Sequence, residues 1–304
     1  MMIIRTTLMF AFTFACVTIV AQPVISFTFD DGVTDDMPGY PFAEWNGMLL
    51  DNLDRAKIRS VFFVTGNNKN DDLGQALLRS WSNRGHRIGN HTWSHPNYGS
   101  AAVTYEKFKK EFLSTDSVIS QYPGYIQMFR FPYLKEGDTR EKIDSARSLL
   151  KKSGYRNGYV TIDASDWYIA SRLRMRLRKK PKANVDGYRK FYLEHLYERA
   201  MYYEDLAFKL TGRNISHTML LHHNLASALF LDDLIDMFKS KGWKVISADE
   251  AYRDPIFEKQ PANIPAGESL IWALAKESGK FEAVLRYPAE DSKYEEARMN
   301  ALGL

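Results

Sequence analysis

The amino-acid sequence predicts an α/β fold, a distorted barrel of seven parallel strands with helices packed outside and a helical C-terminal extension. Seven short runs rich in β-branched and aromatic residues alternate with helical stretches, an alternation typical of parallel strands joined by helices. Seven such units fit an incomplete barrel better than an open sheet. The chain of 304 residues, 45% hydrophobic and 26% charged, is also large enough for one core.

The predicted elements can be placed along the chain by these patterns. The strands are expected at residues 24–29, 60–64, 87–90, 127–131, 158–162, 218–222 and 243–247. Helical stretches with mixed apolar and charged faces lie between them, at residues 44–57, 75–84, 105–121, 188–210 and 227–241.

The first 21 residues have the pattern of a secretory signal peptide. Arg5 precedes an apolar run over residues 8–20, and Ala21 offers a small residue for cleavage. The run is shorter than the about 20 residues of a membrane span. We expect export to the periplasm or the cell exterior, with no stable membrane span after cleavage. Cys16, the only cysteine, would be removed with this segment.

The remaining chain is divided into a barrel over residues 22–254 and an extension over residues 255–304 that packs on it. Residues 172–210 are interpreted as an insertion between the fifth and sixth strands. The basic run at 171–182 predicts a solvated surface, with contact to an anionic substrate as the alternative. A net charge of +4 does not indicate nucleic-acid binding, and no protein partner is predicted.

Unusual polar residues lie where the first and third predicted strands end, the edge at which barrel sites are built. Asp30 and Asp31 are adjacent, so their carboxylates point differently and suit different roles; a simple Asp-Gly turn is the alternative. His91 and His95 would meet on one face if their segment makes a helical turn. With Asp31 they form a three-ligand set that leaves positions for water on a zinc-like ion.

Further polar residues follow the fourth and fifth strands. Arg130, just before Phe131-Pro132-Tyr133, could hold a catalytic carboxylate charged and oriented. The fifth strand is followed by Asp163 and Asp166, an acidic pair beside Trp167.

The sixth strand ends in two consecutive histidines. Strand alternation places Leu220 and His222 on one face and His223 on the other. A histidine that protonates a leaving amine would complete a base-and-acid pair around the metal.

Taken in order, these five motifs resemble the polysaccharide deacetylase family, also called the NodB-homology family or carbohydrate esterase family 4, over residues 24–250. The resemblance implies a seven-stranded barrel of the glycoside hydrolase/deacetylase type and one divalent metal ion. It implies that Asp30 is the catalytic base and that Arg130 orients it. It implies that the metal ligands are Asp31, His91 and His95. Zinc is expected, and cobalt, nickel and manganese remain open because such sites accept several ions.

The same resemblance assigns the rest of the site. The backbone N–H of Tyr133 would help to bind the oxyanion, and Leu220 would form the wall of the acetyl-methyl pocket. Asp166, with Trp167 beside it, would tune His222 as the general acid. The expected partner is an acetylated polysaccharide or oligosaccharide, with peptidoglycan, chitin-like chains and exopolysaccharide all open.

Two assignments keep an alternative. His223 stands where relatives commonly have an aspartate, so it is a second candidate for the acid. Trp45, in a long loop with Tyr40 and Phe42, either stacks on a sugar or packs the loop against the protein.

For the whole protein, a secreted deacetylase acting on N-acetyl groups is the expected function, with O-acetyl groups as a variant. A small-molecule amidase or imide hydrolase on the same fold is one alternative. A catalytically inactive carbohydrate-binding relative is the other, and it should lack a base, a ligand or an acid. Every one of these roles is filled here.

Overall fold

A ring of parallel strands with helices around it forms the centre of the molecule. The computed structural model describes residues 22–67, 69–286 and 292–304. The predicted signal peptide, residues 1–21 with Cys16, lies outside the described residues.

The strands and helices agree with the predicted order. The strands are β1 (Val24–Asp31), β2 (Val61–Val64), β3 (Arg87–Asn90), β4 (Tyr125–Phe129), β5 (Arg156–Asn157), β6 (Ser216–His222) and β7 (Lys244–Val245). The helices are α1 (Phe42–Ala56), α2 (Asp72–Asn83), α3 (Tyr105–Ile119), α4 (Arg140–Lys152), α5 (Asp166–Lys179), α6 (Asp186–Thr211), α7 (Leu225–Ser240), α8 (Ala248–Ala251), α9 (Leu270–Ser278) and α10 (Lys293–Ala301). Short 3₁₀ turns lie at Pro132–Leu134, Pro255–Glu258 and Glu282–Val284.

The strand β1 is the centre of the sheet, whose order is β5-β4-β3-β2-β1-β6 with β7 also paired to β1. Its C-terminal half pairs with β2, its start pairs with β7, and its other edge pairs with β6, all in parallel. Six of its eight residues are buried, as expected for a parallel strand covered on both faces. All strands therefore end at the same edge, where Asp30 and Asp31 lie.

The predicted fifth strand, residues 158–162, is replaced by a two-residue strand and a bridging segment. Arg156 and Asn157 pair with β4, whereas Ile162 pairs with Met219 of β6. The segment crosses from one neighbour to the other and closes the ring, so it cannot form a regular ladder with either. Gly158 lies at the crossing because a Cβ there would come within 2.3 Å of the Phe63 ring. The distorted barrel is thus confirmed, with its distortion at β5.

Side-chain caps fix where several helices begin. Asp71, Thr104, Thr139 and Asn224 each accept a hydrogen bond from a backbone N–H in the first turn of the helix that follows. Asn224 begins α7 directly after His222 and His223, so this cap helps to set the end of β6. No helix in the described part of the chain is long and apolar enough to cross a membrane.

The C-terminal segment packs on the rest of the molecule. Leu270 and Ile271 of α9 and Met299 of α10 belong to the main hydrophobic core. Leu270 also donates its backbone N–H to the carbonyl of Val160, at 2.8 Å, in the segment that closes the ring. The boundary between barrel and extension at residue 254 stays a prediction.

Candidate metal and catalytic site

A pocket of about 230 Å³ lies at the carboxyl ends of the strands. Its lining comes from several different strand ends: Asp30, Asp31, His91, His95, Tyr133, Leu134, Asp163, Trp167, Leu220 and His222. Most of the residues singled out from the sequence therefore meet in one cavity. Arg130 and Asp166 lie behind its wall, where they contact Asp30 and His222.

The backbone around this pocket is unusually strained. Six residues other than glycine have φ in the left-handed region: Asp31, Thr92, His95, Tyr133, Leu134 and Ser165. Such conformations cost roughly 1–3 kcal/mol each and concentrate at functional sites. Asn90 holds one of them, since its side chain accepts the N–H of Thr92 at 2.9 Å and donates to the carbonyl of Phe112.

Asp31, His91 and His95 form a candidate metal site. One ligand atom from each lies within 4.8 Å of the other two. Asp31 Oδ1 is 3.9 Å from His91 Nε2 and 3.6 Å from His95 Nε2. Because zinc takes nitrogen and oxygen ligands at roughly 2 Å, atoms sharing an ion lie about 3 to 4 Å apart. The spacing therefore fits a divalent ion.

The protonation states of the three side chains also suit metal binding. His91 donates its Nδ1–H to the carbonyl of Arg130 at 2.8 Å, which leaves the Nε2 lone pair free. Nε2 lies 3.6 Å from Asp30 Oδ2 and 3.9 Å from Asp31 Oδ1. Burial lowers the pKa of His91 and His95, so both rings are neutral ligands. Burial alone would raise the pKa of Asp31, but nearby histidines, His222 first, outweigh it and keep the group ionised.

The two histidines do not meet in the way predicted. The expected helical turn at residues 91–95 is wrong, because left-handed backbone at Thr92 and His95 folds the segment back instead. The ring centroids of His91 and His95 are nevertheless only 4.9 Å apart. Glu111 of α3 holds this loop by accepting hydrogen bonds from the backbone N–H and the hydroxyl of Ser94.

Asp30 lies beside the triad and is bound to Arg130 through a short ion pair of 2.5 Å. The Arg130 guanidinium also donates to the carbonyl of Gly158 at 2.9 Å and to the Tyr252 hydroxyl at 3.0 Å. The Phe63 ring packs against it at 4.0 Å. Burial raises the pKa of Asp30 to about 7, although Arg130 opposes the shift. Asp30 can therefore gain and lose a proton near neutral pH.

His222 is the register partner of Asp30 on the neighbouring strand β6, and Asp166 holds it. Its Nδ1 is 2.6 Å from Asp166 Oδ1, and its backbone N–H donates to Asp166 Oδ2 at 2.9 Å. Asn224 also donates to Asp166 Oδ2 at 3.0 Å. Burial would lower the pKa of His222, but Asp166 outweighs it and the pKa rises to about 10. The ring therefore carries a proton over the physiological range.

His223 has the opposite surroundings. It is buried, its Nε2 is 3.0 Å from Asn46 Oδ1, and its ring packs against Trp45, Phe62 and Trp81. Burial lowers its pKa to about 3. Strand alternation predicted that His223 would lie outside the pocket of the metal triad, and it does not line that pocket.

The expectation that Trp45 presents an exposed face to a sugar is wrong. Its side chain is fully buried, its ring centroid is 4.4 Å from that of His223, and its indole N–H donates to the carbonyl of Asp35. Phe42 is buried as well, and Tyr40 packs against the main core. Of the two interpretations, the packing one agrees with the structure. The expected loop is wrong for Phe42 and Trp45, which lie in the first turn of α1.

Two residues near the site had no role assigned from the sequence. Asp163 lines the pocket and is buried, and burial raises its pKa to about 6. Its position in an acidic pair after a strand was the available signal. Tyr252, at the end of α8, supports Arg130 from behind. Nothing in the local sequence distinguishes it from the other 16 of the 17 tyrosines.

The comparisons with known proteins bear on this fold and this site. The polysaccharide deacetylase family model matches residues 19–158, which include Asp30, Asp31, His91, His95 and Arg130. The chain is 32% identical to a peptidoglycan-N-acetylglucosamine deacetylase of Bacillus cereus over 144 residues, 47% of this chain and 46% of that protein. It is 26% identical to a chitin deacetylase of Colletotrichum lindemuthianum over 246 residues, 77% of this chain and 81% of that protein.

Solved structures show the same fold. A peptidoglycan N-acetylglucosamine deacetylase aligns with a TM-score of 0.52 and 20% identity, covering 77% of this chain and 92% of that one. A mutant of a CE4 family pseudoenzyme with restored activity aligns with a TM-score of 0.51 and 17% identity, covering 76% and 67%.

These matches confirm the resemblance to the polysaccharide deacetylase family. The chain spans less than half the length of the Bacillus cereus relative, and the family model ends before Asp166 and His222. The activity and the roles of individual residues are therefore taken up as proposals.

Proposed function

We propose that the protein is a metal-dependent deacetylase that hydrolyses N-acetyl groups of an acetylated glycan. One observation carries the proposal: a buried carboxylate with a pKa near 7 and a protonated histidine face the same pocket beside a His₂Asp triad. Such a site has a base, an acid and a place for an electrophile, which together are what amide hydrolysis requires.

The triad is the proposed metal site, and zinc is the proposed ion, with cobalt, nickel and manganese as alternatives. When bound by Asp31, His91 and His95, a divalent ion supplies polarisation of the acetyl carbonyl and a lower pKa for the attacking water. Arg130 fixes His91 through its carbonyl and Asp30 through its guanidinium, so one residue links the triad to the base.

The protein's own residues carry the proton transfers. Asp30 takes a proton from the water as it attacks the acetyl carbon. The backbone N–H of Tyr133 binds the oxyanion, and Leu220 contacts the methyl group. His222 then gives its Nε2 proton to the departing amine while Asp166 holds Nδ1. The bond between carbon and nitrogen breaks, and the products are acetate and a free amine.

The relatives support a glycan as the substrate. The bacterial relative is named for peptidoglycan N-acetylglucosamine and the fungal one for chitin. We propose the same class here, with peptidoglycan, chitin-like oligomers and exopolysaccharide as the members to be tested. Ester-linked acetyl groups would use the same base and electrophile.

Export to the periplasm or cell exterior is part of the proposal. It is supported by the signal-peptide pattern of residues 1–21 and by the glycan substrates of the relatives. Cell fractionation with N-terminal sequencing tests it. A mature chain that begins near Gln22 supports export, whereas an uncleaved cytosolic protein contradicts it.

The decisive experiment is acetate release from a glycan panel, with and without a chelator. The wild-type protein should release acetate from at least one polymer, and the chelator should abolish the release until a divalent ion is restored. Asp30→Asn should bind metal and release none. Release from small N-acyl amides alone would instead identify a small-molecule amidase, and no release from any substrate would indicate an inactive relative.

A further inference from the structure

A second cavity, of about 150 Å³, continues from the catalytic pocket along α5. Asp31, Trp167 and His222 line both cavities, so the two adjoin one another. We refer to the second part as the α5 groove. A glycan bound with its acetyl group in the pocket would extend into this groove.

One face of α5 forms a wall of the α5 groove. Trp167, Ala170, Ser171 and Arg174 line it at positions i, i+3, i+4 and i+7, the spacing of one helix face. At 1.5 Å per residue, Arg174 lies about 10 Å beyond Trp167 along the helix axis. A substrate that extended into the groove would therefore meet Arg174 beyond the sugar that carries the reacting acetyl group.

Arg174 has a hydrogen-bond donor without an acceptor. Its Nε is buried, and within residues 22–67, 69–286 and 292–304 no group accepts its hydrogen bond. The rest of the lining is mixed: apolar Val33, Met37 and Leu225 lie beside polar His222, His223 and Asn224. Asp31 is the only carboxylate in the described lining, and it belongs to the metal triad. A buried donor without a partner is unfavourable until a ligand supplies one.

The charged side chains that follow Arg174 on α5 are also positive. Exposed Arg176 and Arg178 follow it on α5, and none of the three forms an ion pair among the described residues. These three arginines thus place positive charge beside the groove. Long-range attraction of this kind concentrates anionic ligands near a site.

We propose that the α5 groove binds a carboxylate on the glycan, so that the preferred substrate is an acidic acetylated glycan. The inference rests on the proposed function and names its substrate class. A guanidinium matches a carboxylate with two parallel hydrogen bonds, which supplies an acceptor for Nε and neutralises the charge. A neutral sugar offers hydroxyl acceptors without the opposite charge.

The test compares one acetylated oligosaccharide bearing carboxylates with the same compound after reduction of its carboxyl groups to alcohols. Arg174→Gln should lower kcat/KM for the carboxylate form by roughly 10- to 100-fold, the value of a charge-assisted hydrogen bond. The reduced form should be cleaved by this variant as well as by the wild type. Arg176→Gln, which removes the same charge from an exposed position, should keep the wild-type preference.

The outcomes separate this inference from the function on which it rests. Equal loss on both compounds, no loss on either, or the same effect in Arg176→Gln would overturn the groove assignment while the deacetylase stands. If the wild type releases no acetate, calorimetric binding of the deacetylated carboxylate oligosaccharide tests the groove alone. Binding that Arg174→Gln weakens and Arg176→Gln does not supports the groove, and binding that neither variant changes contradicts it.

Discussion

His222 and His223 are consecutive residues at the end of β6, yet they occupy two regions with opposite chemistry. His222 faces the pocket and contacts the Asp166 carboxylate, and its pKa rises to about 10. His223 faces an aromatic cluster and contacts the Asn46 amide, and its pKa falls to about 3. Both rings are largely removed from water, so burial alone does not explain the difference.

The nature of the partner decides the protonation of each ring. A carboxylate favours the imidazolium, whereas a neutral amide and three aromatic rings offer nothing that offsets the loss of hydration. Asp166 itself is held by donors from His222, Asn224 and Ser227, so it remains in place to support the charge. One ring is thus charged and faces the pocket, whereas the other is neutral and packs among aromatic rings.

The largest loss of activity is expected from substitutions in the metal triad, which contains two further histidines. The His91→Ala/His95→Ala double variant should lose its metal and all acetate release, because two of three ligands are gone. Asp31→Ala should weaken metal binding in the same way, while Asp30→Asn should keep the metal and lose turnover. Metal analysis of the purified variants checks this. A double variant with the metal content of the wild type would refute the ligand set.

The next largest effect separates the two neighbours directly. His222→Ala should lower the rate of acetate release by about 10²–10⁴-fold while retaining metal, because the leaving amine loses its acid. The matched variant, His223→Ala, should keep far more activity. If the two phenotypes were exchanged, the acid would be His223 and the proton would have to come from the aromatic side of β6.

The cost of His223→Ala should appear in stability instead. Removing a buried ring that packs against Trp45, Phe62 and Trp81 leaves a cavity, and such truncations cost about 2–5 kcal/mol. Denaturant unfolding of both variants measures the difference. A His222→Ala protein that proved the less stable of the two would contradict the division between a catalytic and a packing histidine.

The pH dependence of the rate tests the proposed base, Asp30, together with His222. Because the pKa of Asp30 is raised to about 7, its carboxylate is available only above that pH, and the rate should rise through it. Because Asp166 raises the pKa of His222 above its ordinary value, the rate should hold through neutral pH and fall at alkaline pH. In Asp166→Asn the alkaline fall should move to lower pH, since the charge that raises the pKa of His222 is lost. If the alkaline fall stayed at the same pH in Asp166→Asn, Asp166 would not be the group that raises the pKa of His222.

A smaller effect is expected at Tyr252. Tyr252→Phe removes the hydroxyl that accepts from Arg130, so Asp30 is held less firmly. A hydrogen bond to a charged group contributes about 1.5–3 kcal/mol. Because Arg130 keeps its bonds to Asp30 and Gly158, only part of this should reach the rate, a loss of roughly 2- to 10-fold in kcat. If Tyr252 positions Asp30 through Arg130, Tyr252→Phe should also shift the acidic limb of the pH profile. An unchanged acidic limb would indicate that Tyr252 only packs against Arg130.

Sequence reasoning succeeded where one local rule determined the outcome. Strand alternation was sufficient to place His222 in the pocket and His223 outside it. The convergence of parallel strand ends was sufficient to bring Asp30, Asp31 and His91 together.

Sequence reasoning failed where a contact between residues far apart in the chain determines the structure. The turn at residues 91–95 is held from α3, where Glu111 accepts hydrogen bonds from the backbone N–H and the hydroxyl of Ser94. The fifth strand is shortened because its segment must close a ring between β4 and β6. Trp45 is buried by its contact with His223, which lies 178 positions away, and no local pattern could indicate this contact.

The most direct test of the central comparison is a histidine NMR titration of the protein after removal of metal. With ring-labelled histidines assigned from the His222 and His223 variants, His222 should show imidazolium signals through pH 8, since its pKa is about 10. His223 should remain a neutral imidazole down to pH 5, since its pKa is about 3. Titration of both rings near the ordinary value of about 6.5 would contradict the account, and so would exchanged behaviour of the two signals.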